Sequence, residues 1–413
     1  MFSLFRKALT FALVLSALLL PVSAAAQESS LLGKYHGSVD PGELLPGAQA
    51  FGAPRQDMPV APILADGETL GWAFVTTDLV GTTGYSGKPI DIFVAISPDA
   101  VLTGAILGEH AEPIVLIGIP ERRMRESIAT LVGADLKKEL AERGSSHELD
   151  IISGATVTVM VIEDSVIRAG LKVARALGLG GLSAPPEDLG PEFSINTEIL
   201  TRKDWSALTG EGSVRRMILD IGQVNSAFAA MGDPRAAERP ESGAPSEVYI
   251  DLNTALVSVP AIGLSLLGDA EYTNLTDWLE DGDQAILIAG RGRYSFKGSG
   301  YVRGGIFDRI AVLQGDNTLR FRDRMHRRLG EIAAAGAPEF QEIDIFRIPA
   351  NTEFDPTAPW ELQLLAQRPV GPVEKVFHTF EMAYQLPDAY LQPIAPPAQP
   401  ARRFSGLRRK PPW

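Results

Sequence analysis

Asp150-Ile151-Ile152-Ser153-Gly154-Ala155-Thr156 runs straight into a helical pattern, with Val159, Ile162, Val166, Ala169, Val173 and Leu177 at spacings of three and four. The stretch therefore sits at a helix N-terminus. Free backbone N–H groups and the positive end of the helix dipole point there, and both favour a phosphate. Ser153, Gly154 and Ala155 are small, so a bulky phosphoryl donor can approach the Thr156 hydroxyl without side-chain clashes. Gly154 also permits a backbone turn closed to most residues. A plainer reading of the same residues is a strand-to-helix turn with Ser153 or Thr156 as N-cap.

Upstream, Leu70–Thr76 is apolar and aromatic, and Gly81–Pro89 is rich in turn residues. Ile90–Ile96 and Val101–Leu107, separated by Ser97-Pro98-Asp99-Ala100, predict an antiparallel hairpin. A helix is predicted around Glu121–Arg143, followed by the helix over 157–178. Strands followed by helices predict an α+β domain over residues 66–180. Residues 27–65 carry Pro41-Gly42, Pro46-Gly47 and Gly52-Ala53-Pro54, and read as an extended lead-in with a short helical turn at most. Gly81 to Lys88 fails as a phosphate-binding P-loop, because Pro89 stands where Ser or Thr is required.

Downstream, the Gly- and Pro-rich stretch 181–195 reads as a linker. Residues 196–395 predict a mostly β second domain with helical insertions, plausibly a sandwich. Strands are expected at Arg216–Ile221, Glu247–Leu252, Gln284–Ala289, Arg293–Phe296, Ile310–Gln314, Asn317–Arg322, Glu342–Ile348, Trp360–Leu365 and Val376–Tyr384. Helical pieces are expected at Lys203–Leu208 and Asn274–Leu279, with Gln223–Gly243 as a loop. Two runs stand out, Gly290–Gly300 and Arg320–Arg328. They read either as a basic, glycine-lined surface for an anionic ligand or partner, or as a flexible hairpin and a solvated charged face. Residues 396–413 form a basic, Pro-rich tail.

The 413 residues are 45% hydrophobic and 22% charged, enough for two globular domains. A net charge of −13 argues against nucleic acid as a partner, since phosphate binding needs a basic face. The chain has no cysteine, which excludes disulfides, cysteine-ligated iron–sulfur clusters and c-type haem attachment. Its five histidines are scattered, so any electron carrier should be organic. Arg6 and Lys7, the apolar run Ala8–Leu20 and the small residues Ser23–Ala26 predict a cleaved signal peptide over residues 1–26, and hence a periplasmic protein. No serine–histidine–acid set stands at the spacing of a known hydrolase.

Asp150-x-x-Ser153-Gly154-Ala155-Thr156 resembles the D-x-x-[ST]-G-A-T flavinylation motif of FMN-binding domains. The resemblance implies FMN on Thr156, joined through its phosphate by a dedicated flavin transferase, with Asp150, Ser153, Gly154 and Ala155 around it. Gly84-Tyr85-Ser86-Gly87 is similar to that family's turn before its first hairpin, with one extra residue before Ile90. Glu109-His110-Ala111-Glu112-Pro113 resembles its H-x-E-T-P block, minus the threonine, which implies that His110 and Glu112 lie near the flavin. For His110 the residues alone suggest a loop or capping histidine, with proton coupling to flavin reduction as the alternative.

The second region extends the resemblance. GRGRYSFKGSGYVRGGIFDRI (290–310), FRDRMHRRLGEI (321–332) and EFDPTAPWELQLLAQR (353–368) resemble the periplasmic portion of the NosR/NirI family. That family is associated with nitrous oxide reduction in denitrifying bacteria. The resemblance implies a redox carrier rather than a stand-alone enzyme. It would take electrons from a membrane donor and serve the nitrous oxide reductase system, tethered to the inner membrane through a further C-terminal part. The rival expectation is a periplasmic interaction or sensory module without working flavin.

Overall fold

The computed structural model describes residues 30–84, 86–113, 120–141, 156–183, 193–231, 233–298, 301–302, 305–315, 317–352, 354–371 and 375–394, with the backbone alone for 156 and 157. The expected signal peptide and the basic tail lie outside these residues.

Two short helices, α1 (Leu32–His36) and α2 (Pro41–Leu44), open the described chain. Strands β1 (Ala50–Phe51), β2 (Val60–Ala65), β3 (Glu68–Val75), β4 (Ile92–Ile96) and β5 (Leu102–Leu107) follow. They form one antiparallel meander in the order β1-β2-β3-β4-β5. Side chains alternate across a strand, and here both faces are apolar. Val60, Phe74, Ile92, Val94 and Ile96 enter one core, whereas Ala61, Ile63, Ala73, Val75, Phe93 and Ala95 enter the other. The second core is closed by Leu32, Tyr35 and Leu44. Residues 30–65 are therefore not an extended lead-in. They supply two strands and the helical cover without which one apolar face of the sheet would meet water.

The opposite face is covered by α3 (Glu121–Thr130), α4 (Leu136–Ala141) and α5 (Thr156–Leu177). The single helix expected around 121–143 is two, broken near Gly133, whose φ of 97 no helix accommodates. In α5 most of the expected stripe is in place: Ile162, Val166, Ala169 and Val173 are buried in the core under the sheet and Val159 is buried, while Leu177 at the helix end is half-buried.

The second region starts with β6 (Phe193–Ile195), which pairs with the final strand, β16 (Leu391–Pro393). The last residues of the expected linker are thus a strand, and 184–192 lie outside the described residues. Between come α6 (Trp205–Glu211), β7 (Arg215–Asp220), α7 (Ile221–Ala230), α8 (Pro234–Ala237), β8 (Val248–Leu256), α9 (Pro260–Trp278) and β9 (Gln284–Gly292). Then follow β10 (Ile310–Gln314), β11 (Asn317–Leu319), β12 (His326–Arg328), β13 (Glu342–Ile348), β14 (Trp360–Pro369) and β15 (Lys375–Tyr384).

Two antiparallel sheets result, β12-β13-β9-β8-β7 and β11-β10-β14-β15. Residues of both, such as Leu252, Ile288, Leu362 and Leu364, share one core. Tyr384 ties the sheets, donating its hydroxyl to the Ser213 carbonyl and accepting from the Leu256 N–H. The α+β reading with a mostly β second domain therefore holds. Two local expectations fail. Gln223–Gly243 contains α7 and α8, the first set by a capping box between Asp220 and Gln223. Arg293–Phe296 is a turn rather than a strand, its Arg293 and Tyr294 N–H groups both donating to the Tyr249 carbonyl.

The domains meet along the segment after β11. Phe321 is buried in the second core, so the alternation of an extended chain turns Arg320 and Arg322 the other way, toward the first domain. Ile306, bridged to Arg322, is buried in the first domain's core. The Thr318 hydroxyl donates to Asp164 of α5 at 3.0 Å.

Candidate functional site

Thr156 is the first residue of α5, as the sequence pattern requires. Asp150, Ser153, Gly154, Ala155 and Tyr85 lie outside the described residues, as does the Thr156 side chain. The structure places Gly84, His110 and Glu112 around the head of that helix.

Glu112 is the joint. Its carboxylate is buried, with 4% exposure. It accepts a hydrogen bond of 2.6 Å from the hydroxyl of Thr158, in the first turn of α5, and one of 3.0 Å from the Ser86 backbone N–H. Three stretches far apart in sequence thus converge on one carboxylate. Burying a carboxylate is costly unless its oxygens are hydrogen-bonded, and here each oxygen of Glu112 has a donor.

The two glycines of the 84–87 turn make room on opposite sides. A Cβ on Gly84 would stand 2.3 Å from Glu112 Oε1, and one on Gly87 would stand 2.7 Å from the Arg322 guanidinium. Gly87 has φ +75 and donates its N–H to the Gly84 carbonyl. Arg322 donates to that same carbonyl at 2.7 Å. Burial draws the Arg322 guanidinium below the ordinary arginine value and Arg324 adds to this, with Glu112 acting in the opposite sense.

His110 caps its own loop. Its Nδ1 accepts the Glu112 N–H at 3.3 Å, which places the proton of the neutral ring on Nε2. Nε2 stands 3.7 Å from a carboxylate oxygen of Glu121, at the start of α3. Arg125 holds the Glu121 carboxyl below the usual range.

The loop leading to His110 is fixed from the other face of the sheet. Tyr35 of α1 donates its hydroxyl to Asp91 at 3.0 Å and accepts the Glu109 N–H at 2.9 Å. Burial pushes the Tyr35 hydroxyl up to about 12, so it stays a donor throughout the physiological range.

Sequence reading missed Thr158 and Tyr35, quoted Ser86 only within its turn motif, and had Arg322 only within the basic Arg320–Arg328 run. Thr158 had a signal, a second threonine in the first turn of the motif helix. Arg322 had none beyond its charge run, since 238 residues separate it from Gly84.

Chemically the arrangement offers a helix N-terminus for a phosphate, a threonine at its first residue and a buried carboxylate that fixes the first turn. A cation is held at the adjoining turn. These features fit a phosphate-bearing flavin. Among the described residues, no cluster of His, Asp and Glu is arranged to hold a metal ion, and no helix is long and apolar enough to cross a membrane. A cleft of about 500 Å³ lies between α5 and the β10–β14–β15 sheet, with Arg168, Arg320, Ile167 and Phe377 in its walls.

Known proteins resemble the chain over this region and beyond it. Residues 84–170 match the family model for the FMN-binding domain. The chain is 40% identical over 399 residues to the regulatory protein NosR of Pseudomonas aeruginosa, covering 94% of this chain and 54% of that protein. It is 39% identical over 387 residues to the regulatory protein NosR of Stutzerimonas stutzeri, covering 91% and 52%. The protein NirI of Paracoccus denitrificans is 31% identical over 348 residues, covering 83% and 48%. The chain spans about half the length of the curated relatives it matches. No solved structure matches it.

Proposed function

The chain is a NosR/NirI homologue over most of its length and carries an FMN-binding domain, and on that premise we propose that it is an exported flavoprotein with FMN esterified to Thr156. Its role is to relay electrons from a membrane donor in support of periplasmic nitrous oxide reduction. The observation that carries this reading is the convergence on Glu112. That carboxylate joins the 84–87 turn and the 109–113 loop to the first turn of the helix that Thr156 begins.

The attachment forms a bond between the Thr156 oxygen and the FMN phosphorus while a flavin transferase breaks the pyrophosphate P–O bond of a flavin dinucleotide donor. The nucleoside monophosphate leaves with the threonine proton, and the chain gains FMN less one water. A phosphoester suits an exported protein, which has no cytosolic pool from which to replace a dissociated cofactor. When bound, FMN supplies one- and two-electron chemistry. The protein's own residues supply position. The helix dipole and free N–H groups at the head of α5 favour the phosphate. Glu112 keeps the Thr158 turn in place, and Gly84 lets the carboxylate approach the loop backbone. Export rests on Arg6, Lys7 and the apolar run Ala8–Leu20.

The test is an intact mass under denaturing conditions, on protein exported together with a flavin transferase and beside Thr156→Val. A gain equal to FMN minus water, absent from the variant, is expected. No gain in either sample, when the transferase modifies another substrate, would leave an interaction module without flavin.

A further inference from the structure

Arg322 belongs to the second domain yet is built into the site of the first. Its backbone is bridged to Ile306, which is 1% exposed and lies in the first domain's core. The adjoining Asp323 N–H donates to the Gly305 carbonyl at 2.8 Å, and the Phe307 N–H to the Phe321 carbonyl at 3.0 Å. At its other end the guanidinium donates to the Gly84 carbonyl at 2.7 Å. The side chain is thus held at both ends and takes no freedom of its own to the site.

A carbonyl solvates a guanidinium but does not neutralise it. The nearby charges that act on Arg322 are Arg324, which disfavours its charge, and Glu112, which favours it. Glu112 is already committed to Thr158 and Ser86. Two residues before it, Arg320 is also buried, which draws it below the ordinary arginine value, and its Nε has no hydrogen-bond partner, but the Asp164 and Glu163 carboxylates of α5 act in its favour. Arg320 lines a small cavity with Gly81, Thr82 and Thr83, on the same loop as Gly84. The second domain therefore sets the Arg322 charge against the 84–87 turn with only Glu112, itself bonded to Thr158 and Ser86, to offset it. Such charge is costly unless something negative shares the site.

We propose that the second domain completes the flavin site, with Arg322 as the positioning residue whose charge favours the reduced, more negative state of the bound group. The inference rests on the flavin reading above. It assigns a role to the second domain that the FMN-binding domain match, confined to residues 84–170, leaves out. Arg322 acts through the electrostatic field and through the Gly84 turn.

The experiment compares wild type, Arg322→Gln, Arg322→Lys and Glu112→Gln as flavin-loaded full chains, with loading measured by intact mass and the midpoint potential by spectroelectrochemistry. Arg322→Gln should lower the ratio of reduced to oxidised flavin at a fixed potential about tenfold, a fall of about 30 mV for a two-electron couple. Arg322→Lys, which keeps the charge, should stay near wild type. Glu112→Gln, which removes the opposing charge, should shift the potential upward. An unchanged potential in a loaded, folded Arg322→Gln protein would overturn the proposal. So would equal falls in the Gln and Lys variants, since geometry alone would then matter. If Arg322→Gln does not load, Arg322→Lys and Glu112→Gln decide, and a Lys potential well below wild type or a Glu112→Gln potential at or below it refutes a charge effect. A wild type that never loads flavin defeats the functional reading instead, and mass reports that separately.

Discussion

Glu112 and Asp344 are both buried carboxylates, one in each domain, and they are kept by different means. Each oxygen of Glu112 accepts from a neutral donor, the Thr158 hydroxyl and the Ser86 N–H, with the Arg322 guanidinium nearby. Asp344, with 0% exposure, faces the Lys297 ammonium at 2.5 Å and the His326 ring at 3.3 Å, inside a cluster that includes Phe307 and Phe346. Hydrogen bonds from neutral donors hold the backbone that carries them in place. A buried ion pair instead cancels charge in the interior and makes each partner dependent on the other. The first arrangement suits a site that must shape a turn. The second suits a core.

That contrast predicts the largest effect at Asp344. Asp344→Ala leaves Lys297 buried and unpaired, and should cost about 3–5 kcal/mol. Urea unfolding followed by fluorescence measures it. The double variant Asp344→Leu with Lys297→Met should recover most of the loss, because it removes both charges and fills the space. If the double variant is as unstable as the single one, the pair is not the source of the cost.

Glu112→Ala should cost less, about 1–3 kcal/mol, the penalty of leaving buried donors unmatched. Its distinctive effect is local. Covalent flavin loading, read by mass, should fall more steeply than stability, because the first turn of α5 loses its tie to both loops. Loading that follows stability alone would put Glu112 on the same footing as Asp344.

Gly84→Ala sharpens the point without touching a charge. The new Cβ would overlap Glu112, which is buried and held at both oxygens, so the carboxylate must leave Thr158. Overpacking of this kind costs about 1–3 kcal/mol. Addition of Glu112→Ala to Gly84→Ala should then cost little more, since both break one contact. Full additivity would show that the two residues act apart.

The ease with which these features were read from the sequence follows the range of the interactions behind them. β10 and β13 match the expected strands residue for residue, β10 as a short apolar run and β13 as a run in which Ile and Phe are interspersed with charged residues, each followed by a Gly or Pro. The inner stripe of α5 was legible because helical spacing is local. The role of residues 30–65 was not, since the Gly and Pro turns hide the fact that the sheet has two apolar faces to cover. α9 was read only at its far end. Its first half, Pro260 to Leu267, is buried almost throughout and so lacks the one-sided period of a surface helix. At the site, Gly84, His110 and Glu112 came from motif resemblance. Thr158 and Arg322 needed the fold, because a helix turn and a partner domain bring them there.

The smallest predicted effect is the pH dependence of the second domain. Burial opposes a charge on His326, but the Asp344 carboxylate and the Asp323 carbonyl outweigh it and raise its proton affinity above the ordinary value. The folded state therefore holds the proton to higher pH than the unfolded chain. Stability from this group is fully present below the unfolded value of about 6.5 and is lost as pH rises through the higher folded one. The effect is limited because Lys297 already offsets the charge of Asp344. Urea midpoints across neutral pH should thus fall as pH rises in wild type and lose this component in His326→Gln. A wild-type midpoint that instead rises with pH, with the rise absent in His326→Gln, would mean that burial wins. Asp344 would then be neutralised by Lys297 alone, and the two carboxylates would differ by one ion pair rather than by a three-membered network.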